Sequence, residues 1–314
     1  MQIYNRQQIA EVVKLDSAAL EAVEAGFAAL GRAEVEMPPI LSMNIAENNG
    51  EVDVKTAHIH GWPRFAIKIS PGFFNNPALG LPSLNGLMLL FSAKTGLVDA
   101  VLFDEGYLTD IRTALAGAIA AKHLSRSDSQ RVAVIGAGVQ AELQVAALRL
   151  VRDIREVHLY TRDRSKAQTY ATRMQAQYGL SVSVHDSAAS ACAQADIVVT
   201  TTPAREPVLN WSDLPKGIHV TAMGSDNPHK NELHPTILAS ADVLVVDRIS
   251  QSRALGELHH APALQREVLE LGSLISNQQS VRSSDQQITV CDLTGTGVQD
   301  TAIANYAARL LEGA

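Results

Sequence analysis

Arg112 and Lys68 carry side chains that can bind a carboxylate group. The segment "TDIRTALAGAIAAKHL" predicts a helix with Thr109 as N-cap, which places Arg112 in the first turn. The helix macrodipole disfavours a cation there, whereas free helix N–H groups and a guanidinium together favour a bound carboxylate. Lys68 lies in "RFAIKIS", on the strand face opposite Phe65 and the two isoleucines, and can therefore point into a cleft. The alternative is that both residues are ordinary surface charges.

Asp226 follows the apolar run "VTAM" and a Gly-Ser pair, and it precedes the sequence Asn-Pro-His-Lys. Spacing alone allows two interpretations: Asp226 ends a strand and caps the next helix, or it handles a proton at the carboxyl edge of a sheet. His229 and Lys230 are predicted to be turn and helix-start residues. The predicted elements around these positions favour the second interpretation of Asp226.

The first third of the chain predicts a helix followed by a β-rich section. Residues 16–30, "DSAALEAVEAGFAAL", place their large apolar side chains on one helical stripe. The segments "RFAIKIS" and "LMLLFSAKTGLVDAVLF" predict three strands, the last two joined by a turn at residues 94–96.

From Arg131 onward, seven short apolar strands alternate with helical segments. The strands are "VAVIG", "EVHLYT", "SVSVH", "DIVVTTT", "HVTAMG", "DVLVVD" and "ITVCDL". Continuous apolar strands separated by helices indicate a parallel sheet covered on both faces. The closing segment, "TGVQDTAIANYAARLL", predicts a helix that returns to the N-terminal section.

These patterns predict an α/β fold in which a Rossmann-type doubly wound parallel sheet is inserted into a second, α+β domain. The predicted boundaries are residues 1–124 plus 297–314 for the discontinuous domain and residues 125–296 for the Rossmann domain. The 314 residues are enough for two such domains.

The segment "VAVIGAGVQAELQVAALRL" contains a dinucleotide-binding fingerprint directly after a strand and at the start of a helix. Gly136 permits the tight turn, Gly138 lets the backbone approach a pyrophosphate, and Ala141 allows close contact between helix and strand. Free N–H groups at the helix N-terminus attract the same anion. The alternative is a tight turn with a structural role only. The residues predicted to bind the cofactor here are Gly136, Ala137, Gly138, Val139, Gln140 and Ala141.

The end of the second strand, "EVHLYT", favours NADP(H) over NAD(H). An acid at this point would bind the ribose 2′-hydroxyl of NAD, but the chain has Thr161 and Arg162, with Arg164 two residues further on. A hydroxyl and guanidinium groups suit a 2′-phosphate, because arginine makes charge-assisted contacts with it. Asp163 comes slightly late. The alternative is that both arginines only begin a solvated helix.

Composition argues against several classes of protein. Apolar residues make up 46% and charged residues 19%, which is typical of a globular protein. The formal net charge of −7 argues against a nucleic-acid binder. The N-terminus lacks an export signal, and no apolar run approaches the roughly 18 residues that suggest a membrane span. Cys192 and Cys291 form no disulfide framework, so we expect a cytoplasmic protein.

The histidines do not predict a metal site. His259 and His260 are adjacent, so on a helix or a strand their side chains diverge. His229 and His234 lie nearby, which leaves a zinc site as the alternative, but we expect no bound metal.

Seven segments together resemble the ornithine cyclodeaminase/μ-crystallin family: "GEVDVKTA", "FAIKISPG", "LPSLNGLMLLFSAKTGLVDAVL", "GYLTDIRTALAGAIAAKHL", "GAGVQA", "TAMGSDNPHKNEL" and "DLTGTGVQD". They occur in the expected order from about residue 37 to the C-terminus, and "LTxxRTA" followed by "GAGxQA" is specific. Within the family, the chain is most similar to the cyclodeaminase-like proteins of ectoine utilisation. The resemblance implies a homodimer formed through the β-rich domain, which would also bind substrate.

The resemblance also implies roles for single residues. Lys68 and Arg112 match the lysine and arginine that bind the substrate carboxylate, and Asp226 matches the catalytic aspartate. Asp53 falls where ornithine cyclodeaminases carry a glutamate beside the substrate amine. Thr296 is expected at the substrate. The further residues expected at the cofactor are Thr202, Met223, Gly224 and Gly295.

Two departures weaken a literal ornithine assignment. The additional carboxylate-binding arginine of the cyclodeaminases has no counterpart around Leu41 and Ser42, and the glutamate is shortened to Asp53.

Three functions compete on this basis. The first is an NAD(P)H-dependent imine reductase acting on a small amino-acid imine such as Δ1-pyrroline-2-carboxylate. The second is a cyclodeaminase that releases ammonia from ornithine or a related diamino acid. The third is a non-enzymatic NADPH-dependent binder, as in the lens-protein branch of the family. Intact Asp53, Lys68, Arg112 and Asp226 favour an enzyme over a binder.

Overall fold

The computed structural model describes residues 1–313. The chain divides into two compact units, Met1–Arg112 together with the segment that begins at Thr296, and Thr113–Gly295. We call them the discontinuous unit and the inserted unit. The first boundary falls inside the helix Tyr107–Leu124 rather than at its end, where we placed it, and the second falls just before Thr296 instead of after it.

The discontinuous unit consists of a seven-stranded sheet and the helices beside it. Its strands are β1 (Gln2–Asn5), β2 (Val35–Glu36), β3 (Leu41–Ile45), β4 (Gly50–Ile59), β5 (Arg64–Phe73), β6 (Leu87–Ser92) and β7 (Val98–Phe103). Its helices are α1 (Arg6–Val12), α2 (Ser17–Gly31), the start of α3 (Tyr107–Leu124) and the C-terminal α10 (Gly297–Glu312). The strand order is β1-β7-β6-β5-β4-β2, with β3 also paired to β4, and only β1 and β7 pair in parallel.

The start of α10 lies against β4 and β5. Gly297 permits this close approach, because a Cβ there would lie 2.3 Å from the carbonyl oxygen of Thr56. Thr301 Oγ1 then donates to the carbonyl oxygen of Ala57 at 2.7 Å and accepts from the backbone N–H of Ala66 at 3.2 Å. The C-terminal helix therefore returns to the N-terminal section, as its sequence predicted.

Strand β5 buries the face that carries Lys68. Ala66 and Lys68 are 0% and 2% exposed, whereas Phe65, Ile67 and Ile69 on the other face remain partly exposed. Lys68 is therefore not an ordinary surface charge, because its side chain lies inside this unit.

Helix α3 begins earlier than the sequence indicated. It starts at Tyr107, and the buried carboxylate of Asp104 accepts from the backbone N–H of Leu108 at 2.8 Å, so Thr109 is not the N-cap. Arg112 consequently lies in the second turn, where the macrodipole has a weaker effect on a cation than in the first turn.

The inserted unit is built on an eight-stranded sheet in which every pair is parallel. Its strands are β8 (Arg131–Ile135), β9 (Glu156–Tyr160), β10 (Ser181–Val184), β11 (Ile197–Thr200), β12 (His219–Ala222), β13 (Val243–Val246), β14 (Leu269–Glu270) and β15 (Thr289–Asp292). Its helices are α4 (Val139–Leu148), α5 (Arg164–Tyr178), α6 (Ala188–Cys192), α7 (Pro235–Ser240), α8 (Ile249–Leu255) and α9 (Leu271–Ser276), besides most of α3.

The Rossmann-type α/β fold is confirmed. All seven predicted strands are present, and every residue of β11, β12, β13 and β15 is buried, as a sheet covered on both faces requires. The strand order is β10-β9-β8-β11-β12-β15-β13-β14. The chain therefore places β9 and β10 on one side of β8 and the strands from β11 onward on the other side, so the strand order switches between β8 and β11. Ligands of such sheets bind at this switch point, beyond the carboxyl ends of the strands. We call that side of the sheet the carboxyl edge.

Among the described residues, no helix combines the length and apolar character needed to cross a membrane.

Candidate functional site

Glycine stands at the two fingerprint positions for different structural reasons. Gly136 has a φ of +118°, and a Cβ there would lie 2.7 Å from Thr201 Oγ1, so the fold itself requires glycine. Gly138 has an ordinary φ of −86°, and a Cβ there would meet no atom within 4 Å. Protein packing does not explain this second glycine, whereas close approach of a ligand does. Gly138 is also the N-cap of α4 without any side-chain cap, which suits a pyrophosphate at the helix N-terminus.

The other fingerprint residues divide into an exposed and a buried group. Val139 is exposed, Ala137 and Gln140 are partly exposed, and Ala141 is fully buried against the sheet. The loop therefore presents its first residues to solvent and packs its last one, which is the arrangement that a dinucleotide loop needs.

The acidic residue that follows β9 caps the next helix, α5. Asp163 is the N-cap of α5, and its Oδ1 accepts from the backbone N–H groups of Ser165 at 2.9 Å and Lys166 at 3.3 Å. The hydroxyl of Ser165 lowers the pKa of Asp163 further. Arg162 is exposed, and Arg164 forms an ion pair with Asp186.

In the discontinuous unit, Lys68 and Arg112 converge on a buried acid. Lys68 Nζ lies 3.1 Å from Asp300 Oδ2, and Arg112 Nε lies 3.0 Å from Asp300 Oδ1. Arg112 Nη1 also donates to Gln299 Oε1 at 3.0 Å. Gln299 Nε2 in turn donates to the hydroxyl of Thr296 at 3.3 Å, so the predicted substrate residue Thr296 is connected to Arg112.

Charges within this cluster shift its protonation equilibria. Burial lowers the pKa of Lys68 to about 7; the charges of Arg112 and Lys55 act in the same direction, and Asp300 opposes them. Burial alone would raise the pKa of Asp300, but the charges of Lys68, Arg112 and Lys55 lower it overall. Burial raises the pKa of Asp104 to about 6, and Lys68 partly counteracts this. The cluster therefore holds ionisable groups that titrate close to neutral pH.

Asp53 lies on the same face of the sheet as Lys68. It pairs with Ser70 in the β4–β5 register, two residues along β5 from Lys68. Its Oδ1 accepts from the hydroxyl of Ser42 at 2.6 Å, across the β3–β4 pair. Ser42 therefore orients the carboxylate of Asp53.

Asp226 does not cap a helix. It lies in the turn that follows β12 at the carboxyl edge, and Lys230 Nζ lies 2.6 Å from its Oδ1. The prediction that Lys230 begins a helix was wrong, because the next helix, α7, starts at Pro235. The four-residue separation brings the lysine back onto the aspartate.

Several buried acids at the carboxyl edge were missed in the sequence. Glu232 and Glu257 are fully buried, Asp247 directly follows β13, and Asp292 is the last residue of β15. Asp247 Oδ2 accepts from the backbone N–H of Gly295 at 2.7 Å, and so fixes a residue predicted to bind cofactor. The sequence alone does not distinguish these buried acids from surface acids, because most of their partners lie far away in the sequence.

Asp300 was missed for the same reason, although one signal was available. It is an acid in the first turn of a helix whose other charged residues, Arg309 and Glu312, lie at the opposite end. An acid in that position is usual at a helix N-terminus, so capping was a sufficient explanation.

The histidines remain separate from any metal-binding arrangement. Within residues 1–313, no group of three or more His, Cys, Asp or Glu side chains is placed to hold a metal ion. His260 Nε2 instead contacts the carbonyl oxygen of Lys230 at 2.8 Å, and His259 Nδ1 that of Arg253 at 3.2 Å.

Comparison with known proteins places this geometry in a family. The model of the ornithine cyclodeaminase/mu-crystallin family matches residues 2–312. A protein of Sinorhizobium fredii, described as an uncharacterized cyclodeaminase, is 51% identical over 98% of this chain and 95% of its own length.

Two solved structures have the same fold. One is Δ1-pyrroline-2-carboxylate reductase of Thermococcus litoralis in complex with NADH and L-proline, with a TM-score of 0.93 and 25% identity over 100% of this chain and 98% of that chain. The other is an archaeal alanine dehydrogenase dimer with bound NAD, with a TM-score of 0.91 and 32% identity over 100% of this chain and 96% of that chain.

Proposed function

The chain belongs to the ornithine cyclodeaminase/mu-crystallin family of NAD(P)-dependent enzymes, and on that premise we propose that it is an imine reductase for a small amino-acid imine. Δ1-Pyrroline-2-carboxylate is the model substrate. The observation that carries this proposal is the convergence of Lys68 and Arg112 on both oxygens of a buried carboxylate. Asp300 holds the two cations next to each other, and two cations with one anion leave a net positive charge that suits a substrate carboxylate.

Each side chain has a separate role in this proposal. Lys68 and Arg112 bind the substrate carboxylate, which fixes the position of the reacting carbon and so lowers the entropic part of the barrier. Asp226, held by Lys230, handles the proton of the imine nitrogen. Asp53 assists with a cationic amine. The nicotinamide, when bound, donates or accepts the hydride, and the protein supplies orientation and electrostatics.

The residues proposed to hold the cofactor all lie at the carboxyl edge of the inserted unit. The open backbone at Gly138 and the uncapped start of α4 fit its pyrophosphate. The set is Gly136 to Ala141, Thr161, Arg162, Arg164, Thr202, Met223, Gly224 and Gly295.

We further propose a preference for NADP(H). Asp163 caps α5 and is therefore a poor partner for a ribose hydroxyl, whereas Arg162 is exposed beside it. Arg162→Ala is expected to lower kcat/KM for NADPH by about tenfold, since a hydrogen bond to a charged group contributes roughly 1.5–3 kcal/mol. The value for NADH should change little. Arg155→Ala, which removes an exposed arginine paired with Asp153, is the control. A wild-type preference for NADH would contradict the proposal.

Reductase and cyclodeaminase activity are separated by their products. The cyclodeaminase alternative is favoured by the description of the 51% identical relative. Purified protein should be screened for NADPH and NADH oxidation with cyclic and linear imines, and for ammonia release from L-ornithine. Imine-dependent oxidation without ammonia release supports the reductase. Ammonia release without net cofactor turnover would replace it by the cyclodeaminase, and cofactor binding without any turnover would leave a binder.

Carboxylate binding should weaken as pH rises through about 7. Lys68, whose pKa burial lowers to about 7, is protonated below that pH and neutral above it, so its attraction for an anion is present at low pH and lost at high pH. The inhibition constant of cyclopentanecarboxylate, measured from pH 6 to 9, is expected to rise by up to about tenfold per pH unit above the midpoint. Lys68→Met should bind more weakly with a flat profile, and the exposed Lys216→Met should behave as wild type. A flat wild-type profile would exclude Lys68 from the carboxylate site.

The homodimer is a proposal supported by the partly exposed apolar face of β5, which includes Phe65, Ile67 and Ile69. The links to ectoine breakdown and to the cytoplasm remain predictions from the sequence.

A further inference from the structure

Glu232 is a fully buried carboxylate that joins the ends of two neighbouring strands, β11 and β12. Its Oε1 accepts from the backbone N–H of Thr202 at 2.6 Å and from the Thr202 hydroxyl at 2.8 Å. Its Oε2 accepts from the Thr200 hydroxyl at 2.6 Å and from the backbone N–H of Gly224 at 2.7 Å. Four donors therefore fill about all the acceptor positions that a carboxylate offers.

The two loops that share Glu232 are in close contact. A Cβ at Gly224 would lie 2.2 Å from the carbonyl oxygen of Thr202 and 2.6 Å from Cδ of Glu232, so only glycine fits there. Met223 N also donates to the carbonyl oxygen of Thr200 at 3.0 Å. A small displacement of Glu232 would consequently move both loops.

A second acid holds the backbone of Glu232 from the other side. Glu257 Oε1 accepts from the N–H of Glu232 at 2.9 Å, and its Oε2 accepts from that of Leu233 at 3.1 Å. Asp292 Oδ2 accepts from the N–H of Glu257 at 3.0 Å. Glu232 is thus connected through buried acids to the end of β15, which gives it a fixed position rather than a solvent-mobile one.

We propose that Glu232 is a positioning residue for hydride transfer, a statement that rests on the proposed function. Its carboxylate fixes the relative positions of Thr202 and Gly224, the two residues in contact with it that we propose to bind the cofactor. Asp226 follows Gly224 by two residues, so the same contact also sets the start of the turn that carries the proposed proton-handling group. Ser225 Oγ donates to the carbonyl oxygen of Lys230 at 2.7 Å and closes that turn.

A carboxylate is required at this position, and an amide of the same shape does not replace it. Each oxygen of Glu232 accepts from one backbone N–H, that of Thr202 or that of Gly224. In Glu232→Gln, either orientation of the amide sets its NH₂ group against one of these N–H groups. The variant therefore breaks one loop contact without a change in side-chain volume, and it leaves a buried donor unsatisfied.

The test compares cofactor binding, turnover and stability in Glu232→Gln, Thr200→Val and a control. Asp196→Asn is a matched control, because Asp196 is a buried acid just before the amino end of the same strand, β11, and accepts from the backbone N–H groups of Gln130 and Arg131. NADPH and NADH affinities are measured by fluorescence titration, stability by thermal unfolding, and kcat with the imine found in the screen. Thr200→Val removes one of the four donors at nearly constant volume.

Glu232→Gln is expected to raise the cofactor Kd and lower kcat, each by tenfold or more, with a smaller change in the KM for the imine. Thr200→Val should raise the cofactor Kd about two- to fivefold. Asp196→Asn should lower the unfolding temperature but leave cofactor Kd and kcat unchanged. If Glu232→Gln does not fold, the cofactor Kd of Thr200→Val alone tests the positioning role of Glu232.

Wild-type Kd and kcat in the folded Glu232→Gln or Thr200→Val protein, with only a lower unfolding temperature, would overturn the positioning role and leave the proposed function intact. A wild-type protein that binds neither NADPH nor NADH would overturn both.

Discussion

Asp226→Asn is expected to lower turnover by about 10²-fold or more while leaving the cofactor Kd unchanged, which is the usual scale for loss of a general acid–base group. The amide keeps the size of the side chain, but it can neither take up a proton nor pair electrostatically with Lys230, whose Nζ lies 2.6 Å from the carboxylate. The side chain is 42% exposed, so its replacement should change stability little.

Measurement of kcat on single-turnover and steady-state timescales, together with fluorescence titration of the cofactor, checks this expectation. Asp153→Asn is the control, because Asp153 is another exposed, ion-paired aspartate of the inserted unit. Turnover within a few-fold of wild type would remove Asp226 from the mechanism and return it to a structural turn residue.

Asp300→Asn should destabilise the protein by about 3–5 kcal/mol, because it leaves the buried cations Lys68 and Arg112 without their shared anion. The free energy of unfolding in urea measures this effect. Asp99→Asn provides the comparison: Asp99 pairs with Arg64 at 3.0 Å but is 33% exposed, so its loss should cost about 1 kcal/mol or less.

A second substitution distinguishes loss of charge balance from loss of packing. Lys68→Met in the Asp300→Asn background removes one of the two cations, and part of the lost stability should return. Equal destabilisation by Asp300→Asn and Asp99→Asn would show that the buried acid does not balance the two cations. No recovery in the double variant would point to packing as the main contribution of Asp300.

The sequence was a good guide to the inserted unit because its information is local. Each of the seven predicted strands is present in the sheet, and four of them, β11, β12, β13 and β15, are buried along their whole length, whereas the edge strand β10 is mostly exposed. The tight turn at Gly136 was also predictable, since the φ of +118° favours glycine whatever lies around it. The two-residue strand β14 carries no such pattern and was missed.

Helix boundaries and side-chain burial were harder to predict from the sequence. Helix α3 starts at Tyr107 because Asp104, buried at the end of β7, accepts from Leu108, and nothing in the local sequence separates this from a cap at Thr109. The burial of Lys68 was equally hidden. Its strand alternates correctly, but which face is covered depends on where α10 packs.

By itself, the sequence determined the parallel sheet, the dinucleotide loop and the family, since these follow from periodicity, glycine spacing and short motifs. Only the tertiary structure decided which charges meet. Asp300 of the last helix joins Lys68 and Arg112, Lys230 joins Asp226, and Glu232 joins two strand ends. The physical reason is that a buried charge is stable only with a partner, and most of these partners come from distant parts of the chain.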